Sequence, residues 1–145
     1  MATSTLYNSF KTKLIDSSTK INFASDTIKV ALVTSSYTPD IDTHDFWDDV
    51  SANEASGTGY TAGGATIANP VVSTDTTNDK GKFDGDDVVW TISSALSARY
   101  AVVYKSTGTS STSPLVGYID FGSTYSLSSG TLTITWSANG ALTIA

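Results

Sequence analysis

The residues best equipped for chemistry crowd into one short stretch: His44, the chain's single histidine, with Asp42, Asp45, Asp48 and Asp49 around it. An imidazole beside carboxylates can shuttle protons or bind a metal ion. A catalytic or metal site needs partners at defined spacing, however, and no second histidine or H-E-x-x-H pattern supplies them. With 22 Ser and 23 Thr in the chain, a Ser-His-Asp triad has no preferred nucleophile either. His44 is therefore expected to cap or pack its own loop. Cysteine is absent, which removes disulfides, thiolate metal ligands and thiol nucleophiles together.

Two acidic runs, Asp75-Thr76-Thr77-Asn78-Asp79-Lys80-Gly81 and Asp84-Gly85-Asp86-Asp87, have the composition of calcium loops. They miss the EF-hand template because the glycine falls one place late and no closing glutamate follows. Turns built by Asp and Asn side chains account for them. Gly57-Thr58-Gly59-Tyr60-Thr61-Ala62-Gly63-Gly64 lacks the P-loop lysine, and Ala62 stands where the third glycine of G-x-G-x-x-G belongs. A loop that needs positive φ and close backbone approach explains it. The sequence thus predicts no enzyme, no catalytic residues, no metal site and no cofactor.

The elements that carry these residues are mostly strands. Ile28, Val30 and Leu32 alternate with Lys29, Ala31 and Val33, which predicts a central strand. Val88-Trp90-Ile92 and Leu132-Ile134-Trp136 predict two half-buried strands with tryptophan turned inward, and Tyr100–Tyr104 and Leu115–Phe121 two more. Lys105–Ser113 reads as a flexible hairpin loop, Ser128–Gly130 as a tight turn, and Asn139-Gly140 as a type I′ turn. The C-terminal half then forms a meander ending at Leu142–Ile144.

Leu6, Tyr7, Phe10 and Leu14 recur at helical spacing, predicting one amphipathic helix over residues 4–16 with Thr3 or Ser4 as its cap and Leu6, Phe10 and Leu14 as its apolar stripe. Residues 35–70 follow no period and read as a long irregular insertion, with a helical turn near Asp45–Val50. Loops longer than about 12–15 residues in a compact domain tend to be functional. The expected whole is one mainly β domain over residues 1–145, an antiparallel β-sandwich or barrel with one N-terminal α-helix and that insertion. At 145 residues it can bury a sizeable core without staples.

Composition narrows the partners. The net charge is −6, which argues against nucleic acid, since phosphate binding relies on clustered Lys and Arg. No run approaches the roughly 20 apolar residues that cross a bilayer, and the opening Met1-Ala2-Thr3-Ser4-Thr5 has no secretory pattern, so a soluble protein without membrane contact is expected. Charged residues are only 15% of the chain, so its surface is rich in hydroxyls. The basic residues gather early: Lys11, Lys13, Lys20 and Lys29 face two aspartates within residues 1–29, suiting that segment to an acidic neighbour. In the insertion Phe46, Trp47 and Tyr60 are candidate apolar anchors for a partner. Trp90 and Trp136 belong to the core by alternation.

Several runs are familiar together: Asp26-Thr27-Ile28-Lys29-Val30-Ala31-Leu32-Val33, Tyr37-Thr38-Pro39-Asp40, His44-Asp45-Phe46-Trp47-Asp48-Asp49-Val50, the glycine segment 57–64, Ala98-Arg99-Tyr100-Ala101-Val102-Val103-Tyr104, Pro114–Phe121 and Thr133-Ile134-Thr135-Trp136. Over nearly its whole length the chain resembles a family of small virion-associated structural proteins of tailed bacteriophages. The resemblance implies a capsid decoration or cement protein at the virion surface, a trimer or dimer that binds the major capsid protein or other virion proteins. It carries no active site. A tail or fibre component that binds host glycans is the alternative it leaves open.

Overall fold

The computed structural model describes residues 1–16 and 19–145. In chain order the elements are β1 (Thr3–Leu6), α1 (Asn8–Ile15), β2 (Ile28–Val33), α2 (Asp48–Ser51), β3 (Ala65–Thr66), β4 (Val71–Asp75), β5 (Lys80–Asp84), β6 (Val88–Ile92), β7 (Leu96–Lys105), β8 (Leu115–Leu127), β9 (Gly130–Ile134) and β10 (Leu142–Ile144). Every strand pairing is antiparallel. The strands form a five-stranded sheet, β1-β8-β7-β2-β3, and two smaller ones, β10-β5-β4 and β6-β9. This is the expected mainly β, sandwich-like fold with one N-terminal helix.

β2 shows how the sequence builds it. Ile28, Val30 and Leu32 enter one core with Phe83, Trp90, Ile92 and Leu132 of the small sheets. Ala31 and Val33 point the other way, into a second core with Tyr7, Tyr37, Trp47, Val50, Tyr100 and Tyr104. A strand covered on both faces reads as a nearly continuous apolar run, as β2 and the middle of β7 do. Each large side chain buried there contributes about 1.5–3 kcal/mol. The large sheet is therefore a middle layer: the small sheets cover one side together with Ala55 and Ile67, and Tyr37, Trp47 and Val50 of the 35–70 segment cover the other.

That segment is not a free excursion. Tyr37, Trp47, Val50, Ala55 and Ile67 are all buried, and the Val50 turn forms as α2, slightly later than expected.

Other expectations change. The N-terminal helix spans Asn8–Ile15 only, because Thr3–Leu6 pairs with β8 and the chain turns at an extended Tyr7 that makes no side-chain cap. Its proposed stripe breaks up: Leu6 lies in β1, Phe10 is buried edge-on against Phe23, and Leu14 is half exposed. The C-terminal half is no meander, since β9 leaves β8 to pair with β6 and β10 pairs with β5. Trp136 lies just beyond β9, half buried, its indole donating to the Asp86 carbonyl at 3.0 Å.

The turn near Asn139-Gly140 is centred one residue earlier. Gly140 N–H donates to the Ser137 carbonyl at 2.8 Å, so Ala138 and Asn139 are its middle pair, and only Gly140 has positive φ. A type I′ turn needs positive φ at both central residues. The 105–113 loop closes on itself through hydrogen bonds. Buried Ser113 accepts from Thr107 N–H at 3.0 Å and donates to the Thr109 carbonyl at 2.8 Å, around a 3₁₀ turn at Ser110–Thr112.

Candidate functional site

His44 caps a chain of hydroxyls. Its Nδ1 receives the Tyr37 hydroxyl at 2.8 Å and the Asp40 amide at 3.3 Å. An amide can only donate, so Nδ1 is the unprotonated nitrogen and Tyr37 also donates to it. The Tyr7 hydroxyl then donates to Tyr37 at 2.8 Å. Burial drives the Tyr7 phenol well above its usual range, and burial pushes Tyr37 up to about 12. Both remain neutral hydrogen-bonding struts that tie the insertion to β1.

The surrounding acids hold backbone. Asp40 accepts the Asp42 and Thr43 amides, and its carboxyl sits below the ordinary range because Thr43 and then these amides bond to it. Asp49 accepts the Asp45 and Phe46 amides at 2.9 and 3.3 Å, opening α2, and Asp42 accepts from the Asn8 amide group. Among the described residues no three His, Asp or Glu side chains converge as a metal cage. Asp75 accepts the Thr77 and Asn78 amides and builds the β4–β5 turn, as its Asx chemistry predicts.

The glycine segment is clamped by one carboxylate. Glu54 accepts the Tyr60 hydroxyl and the Gly63 amide, each at 2.6 Å, and Tyr60 accepts the Leu32 amide at 3.0 Å. Tyr104 donates to the Gly63 carbonyl at 2.7 Å. Gly64, at φ 74°, lies so close to the Val30 carbonyl that a Cβ would overlap it. The close approach read from the sequence is real, and it locks the loop onto β2.

The expected partner-binding residues divide. Trp47 is only 6% exposed and lies in the molecule's own second core, so it is not an exposed anchor. Tyr60 is half buried and committed to Glu54 and Leu32. Phe46 is half buried beneath Lys13, whose Nζ stands 4.6 Å from the ring centroid and donates to the Asp45 carbonyl at 3.4 Å. Burial lowers the Lys13 pKa from its ordinary value. Lys11 is exposed and bonds to Asn8 at 3.0 Å. Lys13 and Phe46 thus share one spot on the surface, with Lys11 two residues earlier on the same helix.

Sequence reasoning missed the more open feature, a cleft of about 630 Å³ between β1 and β8 of the large sheet and the segment that leads into β10. Leu6, Val103 and Ile119 line one side, Phe83, Trp136 and Leu142 the other, and none of its lining residues carries a charge. It also missed the hairpin β4–β5, whose outer strand is exposed over Val71, Val72, Ser73 and Thr74. Val71-Val72 ahead of an Asx turn and Lys82-Phe83 was the available signal. No helix among the described residues is long and apolar enough to cross a membrane.

Compared with family models, curated proteins and solved structures, the chain matches none.

Proposed function

We propose that this chain is a structural protein of a tailed-bacteriophage virion, a capsid decoration or cement protein that binds the major capsid lattice as a homo-oligomer. The observation that carries it is how the irregular segment is packed and hydrogen-bonded onto the domain. Residues 35–70 bury five apolar side chains and fasten their backbone through Asp40, Asp49 and Glu54, so what they display is preformed. A preorganised surface loses little entropy on binding. Repeated over a lattice, modest contacts add up through avidity.

Lys11, Lys13 and Phe46 are the surface residues offered to the lattice; Lys13 covers the Phe46 ring, and Lys11, two residues before it on α1, faces another side of the helix. Co-sedimentation with capsids lacking this protein tests the reading. Saturable pelleting that fails for a Lys11→Glu, Lys13→Glu double variant is expected; no pelleting of the parent chain overturns it. The second reading, a glycan-binding tail or fibre component, draws on the uncharged cleft with Trp136 at its wall, and a glycan array tests it.

A further inference from the structure

β1 is an unprotected edge strand. Tyr7 N–H donates to the Val116 carbonyl at 3.2 Å, continuing the register that pairs Leu6 with Gly117 and Thr5 with Tyr118. In an antiparallel ladder alternate residues bond inward. Thr3, Thr5 and Tyr7 therefore bond to β8, and Ser4 and Leu6 direct their N–H and C=O groups to the free edge. Among the described residues nothing receives them. Edge strands are usually blunted by charge, proline or brevity. Thr3-Ser4-Thr5-Leu6 has no charge or proline, and it runs along the uncharged cleft.

A matching element exists on the same molecule. β4 is also an edge, paired only to β5. Val72 sits opposite Phe83 on the face that Phe83 buries, yet it is 56% exposed, because β4 overhangs the core. Val71, on its other face, is 55% exposed. The strands β6 and β9 also have free edges, but alternate residues of each are buried, whereas Val71–Thr74 are exposed on both faces. β3 and β10 are only two and three residues long.

We infer that β4 of one copy adds to the free edge of β1 in a second copy, placing one of its two valines in the cleft. Charge does not oppose this pairing: two chains of net charge −6 repel elsewhere, but Val71–Thr74 and the cleft lining carry no charge, and each is an apolar surface left uncovered in the single chain. Backbone hydrogen bonds would supply affinity and the valine the register. The contact is heterologous, so it closes into a ring or continues from copy to copy. It rests on the self-association included in the proposed function and specifies its surfaces.

Light scattering tests it with variants that leave the parent ladders intact. Ser4→Pro removes only an outward-facing donor, which an edge strand tolerates. Ser4→Lys is the alternative should the proline variant lose its β-sheet circular dichroism. Val71→Lys with Val72→Lys charges β4. The parent chain is expected at a multiple of its 15.2 kDa mass, and each variant as a monomer. Because each variant keeps one intact surface, mixing the two should restore a one-to-one pair, doubling the mass. An oligomeric parent whose variants remain oligomers, or a mixture that stays monomeric, overturns the strand pairing while sparing self-association. A monomeric parent overturns both.

Discussion

Trp47 lies flat on Tyr104, with ring centroids 4.5 Å apart and planes within 5° of parallel. This contact joins the irregular segment to β7 at the centre of the large sheet, and it converts a loop-like sequence into part of the core. Trp47→Ala is expected to destabilise the fold by about 3–5 kcal/mol, the usual cost of deleting a buried large aromatic side chain. Urea unfolding followed by circular dichroism measures it. A loss below about 1 kcal/mol, the level of an exposed position, would show that the segment is not so anchored.

Glu54 and Tyr60 form the second fastening. Tyr60→Phe deprives Glu54 of a donor and Leu32 N–H of an acceptor. A hydrogen bond to a charged group contributes about 1.5–3 kcal/mol, and the variant should lose that much. A double-mutant cycle with Glu54→Gln should give a coupling energy above about 0.5 kcal/mol, as residues in contact do.

Two glycines separate backbone strain from crowding. Gly64 and Gly108 both have positive φ, at 74° and 87°. A Cβ on Gly64 would overlap the Val30 carbonyl and lie 2.6 Å from Ala31 Cα, whereas one on Gly108 meets nothing within 4 Å. Gly108→Ala should cost about 1–2 kcal/mol from the left-handed conformation alone. Gly64→Ala should cost more, with β2 displaced. Equal melting temperatures for the two variants would contradict the close approach.

Acid should loosen the sheet through two carboxylates. The Asp120 carboxyl is held below its usual range by Arg99, which grips it at 2.8 and 3.2 Å, and then by the Gly122 amide. Burial works against Asp26, but Lys105 at 2.9 Å and the Asn22 amide hold it below that range as well. Their stabilisation is complete above the unfolded carboxylate pKa of about 4 and disappears as pH falls through the depressed folded values. Denaturant midpoints measured from pH 6 to pH 2 should fall, and Asp120→Asn should flatten the acid limb. An unchanged slope in that variant would remove Asp120 from the account.

The strands that are buried on alternate or both faces were legible in the sequence, because burial writes a period of two or an apolar run into β2, β6, β7 and β9. The elements that escaped are those whose exposure hides the period. β4 shows no alternation because neither face is covered. β1 was absorbed into a helix because Leu6 and Tyr7 stand at helical spacing from Phe10, although Leu6 belongs to a strand. The pairings β9 with β6 and β10 with β5 were illegible for another reason: turn residues specify that the chain reverses, not which sheet receives it. For the candidate site, composition correctly assigned the Asp75 turn and the glycine clamp to local structure. It misplaced Trp47, since an indole in an aperiodic segment gives no sign of which core it enters.

The most direct test of the central claim is the thermal disruption of capsids with and without this protein, followed by release of packaged DNA. Particles carrying it should disrupt at a higher temperature than particles lacking it, and adding the purified chain to the latter should restore the difference. Identical disruption temperatures, with the chain shown to be present on the particles, would contradict a cementing role.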